Sequence, residues 1–374
     1  MKFIKMTYLT ITVMMNFIFA VLLILSSYAY LISPVRMMFP SYLGLAFPVF
    51  LFANVLFIVF WLLQRRWLFL LSLITLFICF PEVKLYTPLH RGEEISITGD
   101  SLVILSYNVE CFQGLKPHLD NKPNEILEYI ANSRADIICM QEFAFGRDKS
   151  IISEVQINQA LEDYPYHYFS DKSKNPYSGS GIACYSKYPI IEVQEIVYES
   201  VYNSSYLYRI QYKGRELTII NNHLESNKFT LGDRALYRRM LKHFEPELIG
   251  EFKNRLVPKL DIAYIQRAVQ AEKVSHAIQQ EGDNNIIVCG DFNDTPQSYV
   301  YHKIRGKLKD AYVETGFGPG ITYHKNGFLF RIDHILYSGN FHAVATEIGK
   351  LKNSDHYPLK ATFVWDDTIN YADI

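Results

Sequence analysis

Residues 286–294 read IIVCGDFND, an apolar run that ends abruptly in polar side chains. The β-branched start is typical of a buried strand, and Asp291, Asn293 and Asp294 follow it directly. A carboxylate next to a buried strand must be paired, desolvated or bound to a metal, because burying an uncompensated charge is costly. The stretch therefore predicts a strand that carries a functional site at its end.

The same junction between an apolar strand and polar side chains recurs five more times. It comprises Asn108 and Glu110; Gln141 and Glu142; Asn221, Asn222 and His223; Asp333 and His334; and Asp355 and His356. Clusters rich in oxygen suit Mg²⁺, Mn²⁺ or Ca²⁺, whereas the chain has no CxxC or HExxH motif for zinc. A histidine beside an aspartate also suits acid–base chemistry, because imidazole changes charge near neutral pH. We expect a divalent-cation site, with Mg²⁺ as the expected ion and Mn²⁺ or Ca²⁺ as alternatives.

The pattern around these junctions predicts an α+β fold with much antiparallel sheet. Two helical regions are predicted, a short amphipathic helix over 123–132 and two or three helices within 228–280, where two prolines interrupt the helix formers. Many strands with few intervening helices favour this class over a doubly wound parallel sheet. The predicted strands cover 102–107, 135–140, 180–186, 190–198, 205–212, 217–222, 285–289, 331–337, 343–348 and 359–364.

The first 84 residues have a different composition, which predicts a transmembrane region. Tyr8–Ile32 contains no charged residue, and Ser41–Leu63 repeats the signal, while a bilayer core needs roughly 20 residues of helix. The third run, Trp67–Phe80, has 14 residues; we interpret it as a span that continues to Val83, with a re-entrant piece as the alternative. We predict helices at about 8–32, 41–63 and 67–83, a linker at 85–100, a catalytic domain at 101–366 and a tail at 367–374.

The basic residues of this region predict its orientation. Lys2, Lys5, Arg65 and Arg66 fall on one side of three spans and only Arg36 on the other, which favours a cytoplasmic N-terminus. Three spans then place the C-terminal domain on the extracytoplasmic side. Two alternatives stay open: a cleaved signal peptide in place of the first span, and a cytoplasmic domain if the third run does not span.

Seven stretches in order resemble one family. SYNVE, MQE, SGIACYSKYPI, NNHLES, GDFND, RIDHIL and SDHYPL are similar to the ordered motifs of the endonuclease/exonuclease/phosphatase superfamily, the deoxyribonuclease I-like enzymes. The resemblance covers about residues 100–366. It implies a four-layered α/β sandwich, in which two facing, mostly antiparallel sheets are flanked by helices. Here an all-α transmembrane segment would precede it.

The resemblance also implies where a metal ion would bind. Glu142 corresponds to the metal-binding glutamate of the family's QE motif. Asn108 and Asp355 are expected nearby, either as metal ligands or as groups that support them. Such an ion neutralises charge on phosphate oxygens during hydrolysis. Whether one or two ions act is left open.

Catalytic roles follow from the same resemblance. Asp291 and Asn293 correspond to the pair that positions the attacking water and the phosphate. His356 corresponds to the histidine of the closing SDH motif and Asp333 to the acid that orients it. His223 is expected to contact the phosphate or assist the leaving group. Asp291 and His356 both remain candidates for the general base.

Four further residues are candidates for substrate binding. Asn222 follows a strand beside His223, and Arg331, two residues before Asp333 in the predicted strand, shares a strand face with it and is a candidate partner of Asp333 or of phosphate. Tyr323 and His324 occupy the loop before that strand. We include all four as candidates that the motifs alone do not require.

The expected function is metal-assisted attack of water on a phosphodiester or phosphomonoester, with a lipid headgroup or small phosphodiester as substrate and the bilayer as partner. Beyond residue 99 the chain has 30 Lys and Arg against 35 Asp and Glu, so it lacks the broad basic surface that holds nucleic acid. An extracytoplasmic DNA or RNA nuclease is therefore the alternative, and a non-catalytic membrane-binding module a remote one. No protein partner is predicted.

Overall fold

A computed structural model of the chain describes residues 2–90, 100–119, 122–146, 151–173, 177–243, 245–282, 284–325 and 327–366. The predicted tail, 367–374, and positions 91–99 of the predicted linker lie outside these residues. Within the described part, an apolar helical region extends to Tyr86, and the first strand of a two-sheet sandwich begins at Ser101.

The N-terminal region contains α1 (Lys2–Ser27), α2 (Phe39–Leu45), α3 (Phe47–Leu63), α4 (Phe69–Ile78) and α5 (Phe80–Tyr86). Part of α1, Met6–Ser27, is long and apolar enough to span a membrane. The α2–α3 pair is bent by 55° and the α4–α5 pair by 74°, and a proline stands near the start of α3 and of α5. Each bent pair is a broken span or a re-entrant loop, so the number of candidate spans is one to three, and the three-span organisation stays a prediction.

Polar side chains join the apolar helices to one another. Asn16 of α1 donates to Ser72 Oγ of α4 at 2.6 Å and accepts from Trp61 Nε1 of α3 at 2.8 Å. Asn54 of α3 donates to the carbonyl oxygen of Phe19 at 2.9 Å. Buried hydrogen bonds between helices are a common means of association in membranes. These contacts therefore hold α1, α3 and α4 together as one bundle.

Twelve strands among the described residues form two six-stranded sheets. The strands are β1 (Ser101–Asn108), β2 (Ile137–Gly146), β3 (Tyr166–Asp171), β4 (Ser178–Ser186), β5 (Ile190–Glu195), β6 (Ser204–Tyr212), β7 (Arg215–His223), β8 (Ile286–Asp291), β9 (Lys309–Asp310), β10 (Asp333–Ser338), β11 (Phe341–Ile348) and β12 (Leu359–Trp365). The first sheet has the order β11-β12-β1-β2-β4-β3 and the second the order β5-β6-β7-β8-β10-β9. Neighbouring strands are antiparallel except for β1 with β2 and β7 with β8.

Helices cover the outer faces of both sheets. They are α6 (Glu125–Ala131), α7 (Glu154–Ala160), α8 (Leu231–Lys242), α9 (Pro246–Arg255), α10 (Val257–Glu281), α11 (Tyr299–Arg305) and α12 (Ala311–Thr315). Alternating strand residues separate the cores: Ile104 lies in the core between the sheets, whereas Leu105 packs outward with α6 and α7. The second sheet packs outward against α10 and α11. This is the predicted four-layered α+β sandwich.

Most predicted strands are present, with ends that differ by a few residues. The stretch 228–280 contains three helices, α8 to α10, as expected. β3 and β9 were not predicted; β3 reads YHYFSD and is largely exposed at the edge of its sheet, so it lacks a clear apolar pattern. The strand predicted over 331–337 begins only at Asp333.

The helical region packs directly on the sandwich. Tyr42 of α2 donates a hydrogen bond to Asp261 of α10. On α11, His302 stacks on Tyr30 with ring centroids 3.6 Å apart, and its Nε2 lies 3.3 Å from Glu82 Oε2. The segment after α1, helix α2 and helix α5 therefore all meet the sandwich.

Candidate active site

The polar junctions meet at one end of the sandwich because the strands that carry them end there. Asn108 is the last residue of β1, and His223 and Asp291 are the last residues of the parallel strands β7 and β8. His223 pairs with Asp291 in register, and Asp291 also pairs with Asp333, the first residue of β10. Side chains far apart in sequence thus come together at the same end of the two sheets.

Asp333, His356 and Asp291 form a buried chain of contacts. His356 Nδ1 lies 2.7 Å from Asp333 Oδ2, and His356 Nε2 lies 3.6 Å from Asp291 Oδ2. Ser354 fixes the loop, since its hydroxyl accepts from the His356 amide at 3.2 Å and donates to the Asn108 carbonyl at 2.7 Å. The imidazole is therefore oriented between two carboxylates.

The pKa values of both Asp291 and His356 are raised above their ordinary values. Burial raises the pKa of Asp291 to about 6, although the nearby His356 opposes that shift. For His356, burial alone would lower the pKa, but the carboxylates of Asp333 and Asp291 outweigh burial and raise it to about 10. At neutral pH the imidazole is then protonated and the Asp291 carboxylate is available to accept a proton.

Glu142 reaches the site through a bulge in β2. The pairing of β2 with β4 shifts between Met140 and Phe143, so that two residues of β2 stand opposite Ile182. Glu142 takes a φ of +49° there, which turns its carboxylate toward the strand ends. Its pKa is raised, first by burial and then by the charge of Asp355. A strained backbone conformation thus positions this acid.

Two residues surround the Asp291 carboxylate, and one of them, Asn108, connects the two sheets. Asn108 Nδ2 donates to Glu142 Oε1 at 3.3 Å and to Asp291 Oδ2 at 3.1 Å. Asn293, with a φ of +52°, donates from its backbone to Asp291 Oδ1 at 2.8 Å and from Nδ2 to the Leu224 carbonyl at 3.0 Å. Both amides hold the Asp291 carboxylate in a fixed orientation.

His223 completes this cluster as a neutral group. Its Nε2 lies 3.8 Å from Glu142 Oε1 and 3.9 Å from Asp291 Oδ2. That atom is buried and has no hydrogen-bond partner among the described residues. Burial lowers the pKa of His223, and the nearby Asp291 only partly offsets this effect. A buried nitrogen without a partner is costly, so this atom is free to bind a ligand oxygen.

The acids offer two groupings for a divalent cation. Ligand atoms of Asp291, Asp333 and His356 lie within 4.8 Å of one another. However, Asp333 and His356 already bond each other, whereas the like charges of Glu142 and Asp355 would be relieved by a cation. Carboxylate oxygens fit a hard cation such as Mg²⁺, so we favour the grouping at Glu142 and Asp355. Asn108 turns its amide nitrogen toward Glu142, and in this rotamer its oxygen instead accepts from the Glu110 amide.

The four candidates for substrate binding separate into two kinds. Tyr323 lies at the site, where its ring meets His356 edge-on at a centroid distance of 5.0 Å. His324 stacks on Tyr357 at 3.9 Å, beside the site. Asn222 and Arg331 point away from it. Asn222 lies on the face of β7 opposite to that of His223, and its side-chain amide donates to the Cys289 carbonyl. Arg331 precedes β10, so the alternation of strand faces does not place it beside Asp333. Its guanidinium donates instead to the Leu85 carbonyl.

Sequence reasoning missed one residue that shapes the site. Arg267 of α10 is almost fully buried; it donates to the Glu225 carbonyl and to Asn227 Oδ1, both at 2.9 Å, and lies 3.4 Å from Asp294 Oδ2. It ties α10 to the loop that follows β8. The signal was available, because Arg267 lies at helical spacing from the buried residues Leu260 and Tyr264.

A family model described as "Endonuclease/Exonuclease/phosphatase family" matches residues 105–356, which include every site residue from Asn108 to His356. The chain belongs to the endonuclease/exonuclease/phosphatase family. Endonuclease/exonuclease/phosphatase enzymes hydrolyse phosphate ester bonds and depend on divalent cations, and this chain is a hydrolase of that class.

A second family model, described only as a domain of unknown function, matches residues 9–86 of this endonuclease/exonuclease/phosphatase family member. No curated protein matches the chain.

Solved structures of the family resemble the chain at low identity. A family protein from Leptotrichia buccalis is 18% identical, with a TM-score of 0.48, and the match covers 71% of this chain and 100% of that one. TDP2 from Caenorhabditis elegans is 18% identical, with a TM-score of 0.46 and coverages of 71% and 74%. The human nocturnin catalytic domain is 19% identical, with a TM-score of 0.46 and coverages of 72% and 97%.

Proposed function

We propose that the chain is a membrane-anchored phosphoesterase that cleaves a phosphodiester or phosphomonoester by attack of water, with its catalytic domain outside the cytoplasm. The observation that carries the proposal is the buried contact chain of Asp333, His356 and Asp291, beside the carboxylates of Glu142 and Asp355. This arrangement combines an oriented acid–base pair with an oxygen-rich cation site.

The geometry favours Asp291 over His356 as the general base. With a pKa of about 10, His356 is already protonated at neutral pH and has no free position for a second proton. Asp291, with a pKa of about 6, is mostly ionised and can take a proton from water. In this proposal the His356 cation faces the negative phosphate, and Asp333 keeps it in place.

Other residues hold the reacting groups. A divalent cation bound at Glu142 and Asp355, for which we propose Mg²⁺, would supply charge neutralisation at the phosphate oxygens. Asn293 keeps the Asp291 carboxylate oriented through its hydrogen bonds to that carboxylate and to the Leu224 carbonyl. The Nε2 of His223, which has no hydrogen-bond partner in the described part of the chain, can form a hydrogen bond to a phosphate or leaving-group oxygen.

The N-terminal region supports a membrane anchor. One helix is apolar enough to span a bilayer, and two bent pairs could provide further spans. Arg65 and Arg66 follow α3, at the end of the bundle opposite to Tyr42, which contacts the sandwich. If the basic end is cytoplasmic, the catalytic domain lies on the other side.

Two measurements test the proposal. The full-length chain in detergent, with Mg²⁺, Mn²⁺ or Ca²⁺, should hydrolyse chromogenic phosphodiesters or phosphomonoesters faster than it degrades plasmid DNA. Asp291→Ala should abolish the reaction, whereas Asp163→Ala, at an exposed acid remote from the site, should not. Faster cleavage of DNA would favour the nuclease alternative, and full activity in Asp291→Ala would refute the mechanism. A C-terminal reporter that is active only in the cytoplasm would refute the orientation.

A further inference from the structure

A cavity of about 450 Å³ connects the catalytic residues to the apolar N-terminal region. Asp291, His356 and Asp355 line one part of it. Leu45, at the end of α2, and Val49, near the start of α3, line another part. The volume lies within the roughly 300–1,000 Å³ of typical small-molecule sites. The bend between the two apolar helices is therefore a wall of the catalytic cavity.

The cavity wall next to the catalytic residues is aromatic. Phe328 stacks on Tyr237 with ring centroids 4.1 Å apart and planes inclined by 11°. Phe229 and Phe330 extend the group, with centroids 6.3 and 6.1 Å from that of Phe328. All four side chains line the cavity. Such a surface favours a substrate that carries an apolar group next to its phosphate ester over one that carries a polar group there.

A hydrogen bond and a ring contact hold the helix bend against α10. The Tyr42 hydroxyl donates to Asp261 of α10, and its ring meets Tyr264 edge-on at a centroid distance of 5.9 Å. Tyr42 and Tyr264 both line the cavity. The membrane region therefore contributes to the shape of the site as well as to its attachment.

Among the residues that the structure describes, one cation in the cavity has no acidic partner. Lys228 pairs with Glu225 at 2.5 Å and Arg267 with Asp294 at 3.4 Å. Arg234 also lines the cavity, and among the described residues its guanidinium forms no ion pair or hydrogen bond. It lies near Tyr323, whose ring contacts His356. An anionic phosphate between Arg234 and the catalytic residues would give this guanidinium a partner.

We propose that the substrate is an amphiphilic phosphate ester drawn from the bilayer. This inference rests on the proposed function. The phosphate binds between Asp291 and Arg234, and the apolar chain lies along the aromatic wall and leaves the cavity past Leu45 and Val49. Different parts of the protein thus recognise the two parts of the substrate. The helix bend contacts its apolar chain, and the sandwich binds its phosphate.

The test compares two chromogenic diesters that share one scissile bond, methyl p-nitrophenyl phosphate and hexadecyl p-nitrophenyl phosphate, with the full-length chain in mixed micelles. We expect kcat/KM to be at least about tenfold higher for the hexadecyl ester, since burial of two or three methylene groups suffices for that ratio. Val49→Trp should narrow the exit and lower the ratio of the hexadecyl rate to the methyl rate about fivefold.

Val59→Trp is the matched control, because Val59 is an exposed valine of the same helix that does not line the cavity. Phe328→Ala, with the exposed Phe317→Ala as its control, provides a second test if Val49→Trp misfolds. Equal rates for the two esters, or equal loss on both esters in Val49→Trp and Phe328→Ala, would overturn the inference while the hydrolase function stands. Hydrolysis of neither ester would overturn both.

Discussion

Asp291 stands in contact range of two histidines with opposite character, a protonated His356 and a neutral His223. The difference has a physical source, since His356 has the adjacent Asp333 carboxylate as a hydrogen-bond partner, whereas the His223 Nε2 has none within the described part of the chain. The Asp291 carboxylate therefore has the His356 cation on one side and the neutral His223 ring, a hydrogen-bond donor or acceptor, on the other.

The pH dependence of the reaction should report the pKa of Asp291. A general base must be ionised, so kcat/KM should fall as pH decreases below about 6, the pKa that burial gives this group. Asp291→Asn should lower kcat by about 10²–10⁴-fold, the usual contribution of such a base. An Asp291→Asn variant that keeps the wild-type pH profile would contradict this role.

His356 should make the stability of the metal-free protein depend on pH. Its pKa is raised from 6.5 to about 10 in the folded state, so the protonated imidazole stabilises the fold. This contribution is fully present below pH 6.5 and is lost as pH rises toward 10. We expect Tm in EDTA to decrease across that window. His356→Gln should flatten the decrease, and an unchanged slope would show that another group titrates.

Some site residues were predictable from local sequence and others were not. Asp291, Asp333 and His356 lie beside apolar runs that predict the neighbouring strands. The structure brings the three side chains together. The orientation of Arg331 depends on where β10 begins, and its partner, the Leu85 carbonyl, lies 246 residues away. A contact of that separation leaves no mark on local periodicity.

At the scale of elements, β8 depends on one glycine at the critical junction. Gly290 has a φ of +125°, and a Cβ there would lie 2.0 Å from the Asn222 carbonyl oxygen. The two parallel strands β7 and β8 can therefore come close only because this residue lacks a side chain. The apolar pattern predicted both strands, but the close approach between them follows only from their pairing.

Gly290→Ala should destabilise the sandwich by about 1–3 kcal/mol, the range for a strained conformation, and displace Asp291 beside it. Denaturant unfolding and kcat should both show the loss. Gly214→Ala offers a control with positive φ but open space around it. Equal destabilisation in both variants would mean that φ alone, and not the clash with β7, decides the effect.

At the scale of the whole molecule, the proposed cation would join segments that are distant in sequence. Glu142 belongs to β2, and Asp355 lies in the loop before β12, a strand of the same sheet. An ion bound by both stabilises the folded state by mass action, about 2.7 kcal/mol at one hundred times its Kd. We expect Mg²⁺ to raise Tm over the value in EDTA, and Glu142→Gln to abolish most of that increase.

Asp163→Gln, at an exposed acid, is the matched control for this measurement and should keep the full increase. A Glu142→Gln variant that is stabilised by Mg²⁺ as much as the wild type would place the ion elsewhere, for example at Asp291, Asp333 and His356.

The contribution of the helical region to the cavity was the least predictable feature of the chain. Hydropathy identified the apolar segments and their approximate lengths. It could not reveal that the bend before α3 packs on α10, because that contact depends on two surfaces from separate regions, Tyr42 on one and Asp261 on the other. The sequence therefore predicted a membrane anchor and a catalytic site. It did not predict that the bend between α2 and α3 lines the catalytic cavity.

The contacts of Tyr42 with Asp261 and of Tyr30 with His302 restrain the sandwich from swinging away from the helices. An enzyme with the proposed membrane anchor and the proposed bilayer substrate would collect that substrate by lateral diffusion in two dimensions. Its velocity would then follow the mole fraction of substrate among the lipids and fall when inert lipid is added at constant bulk concentration. Enzyme and substrate would share one surface, and the composition of that surface would set the pace of the reaction.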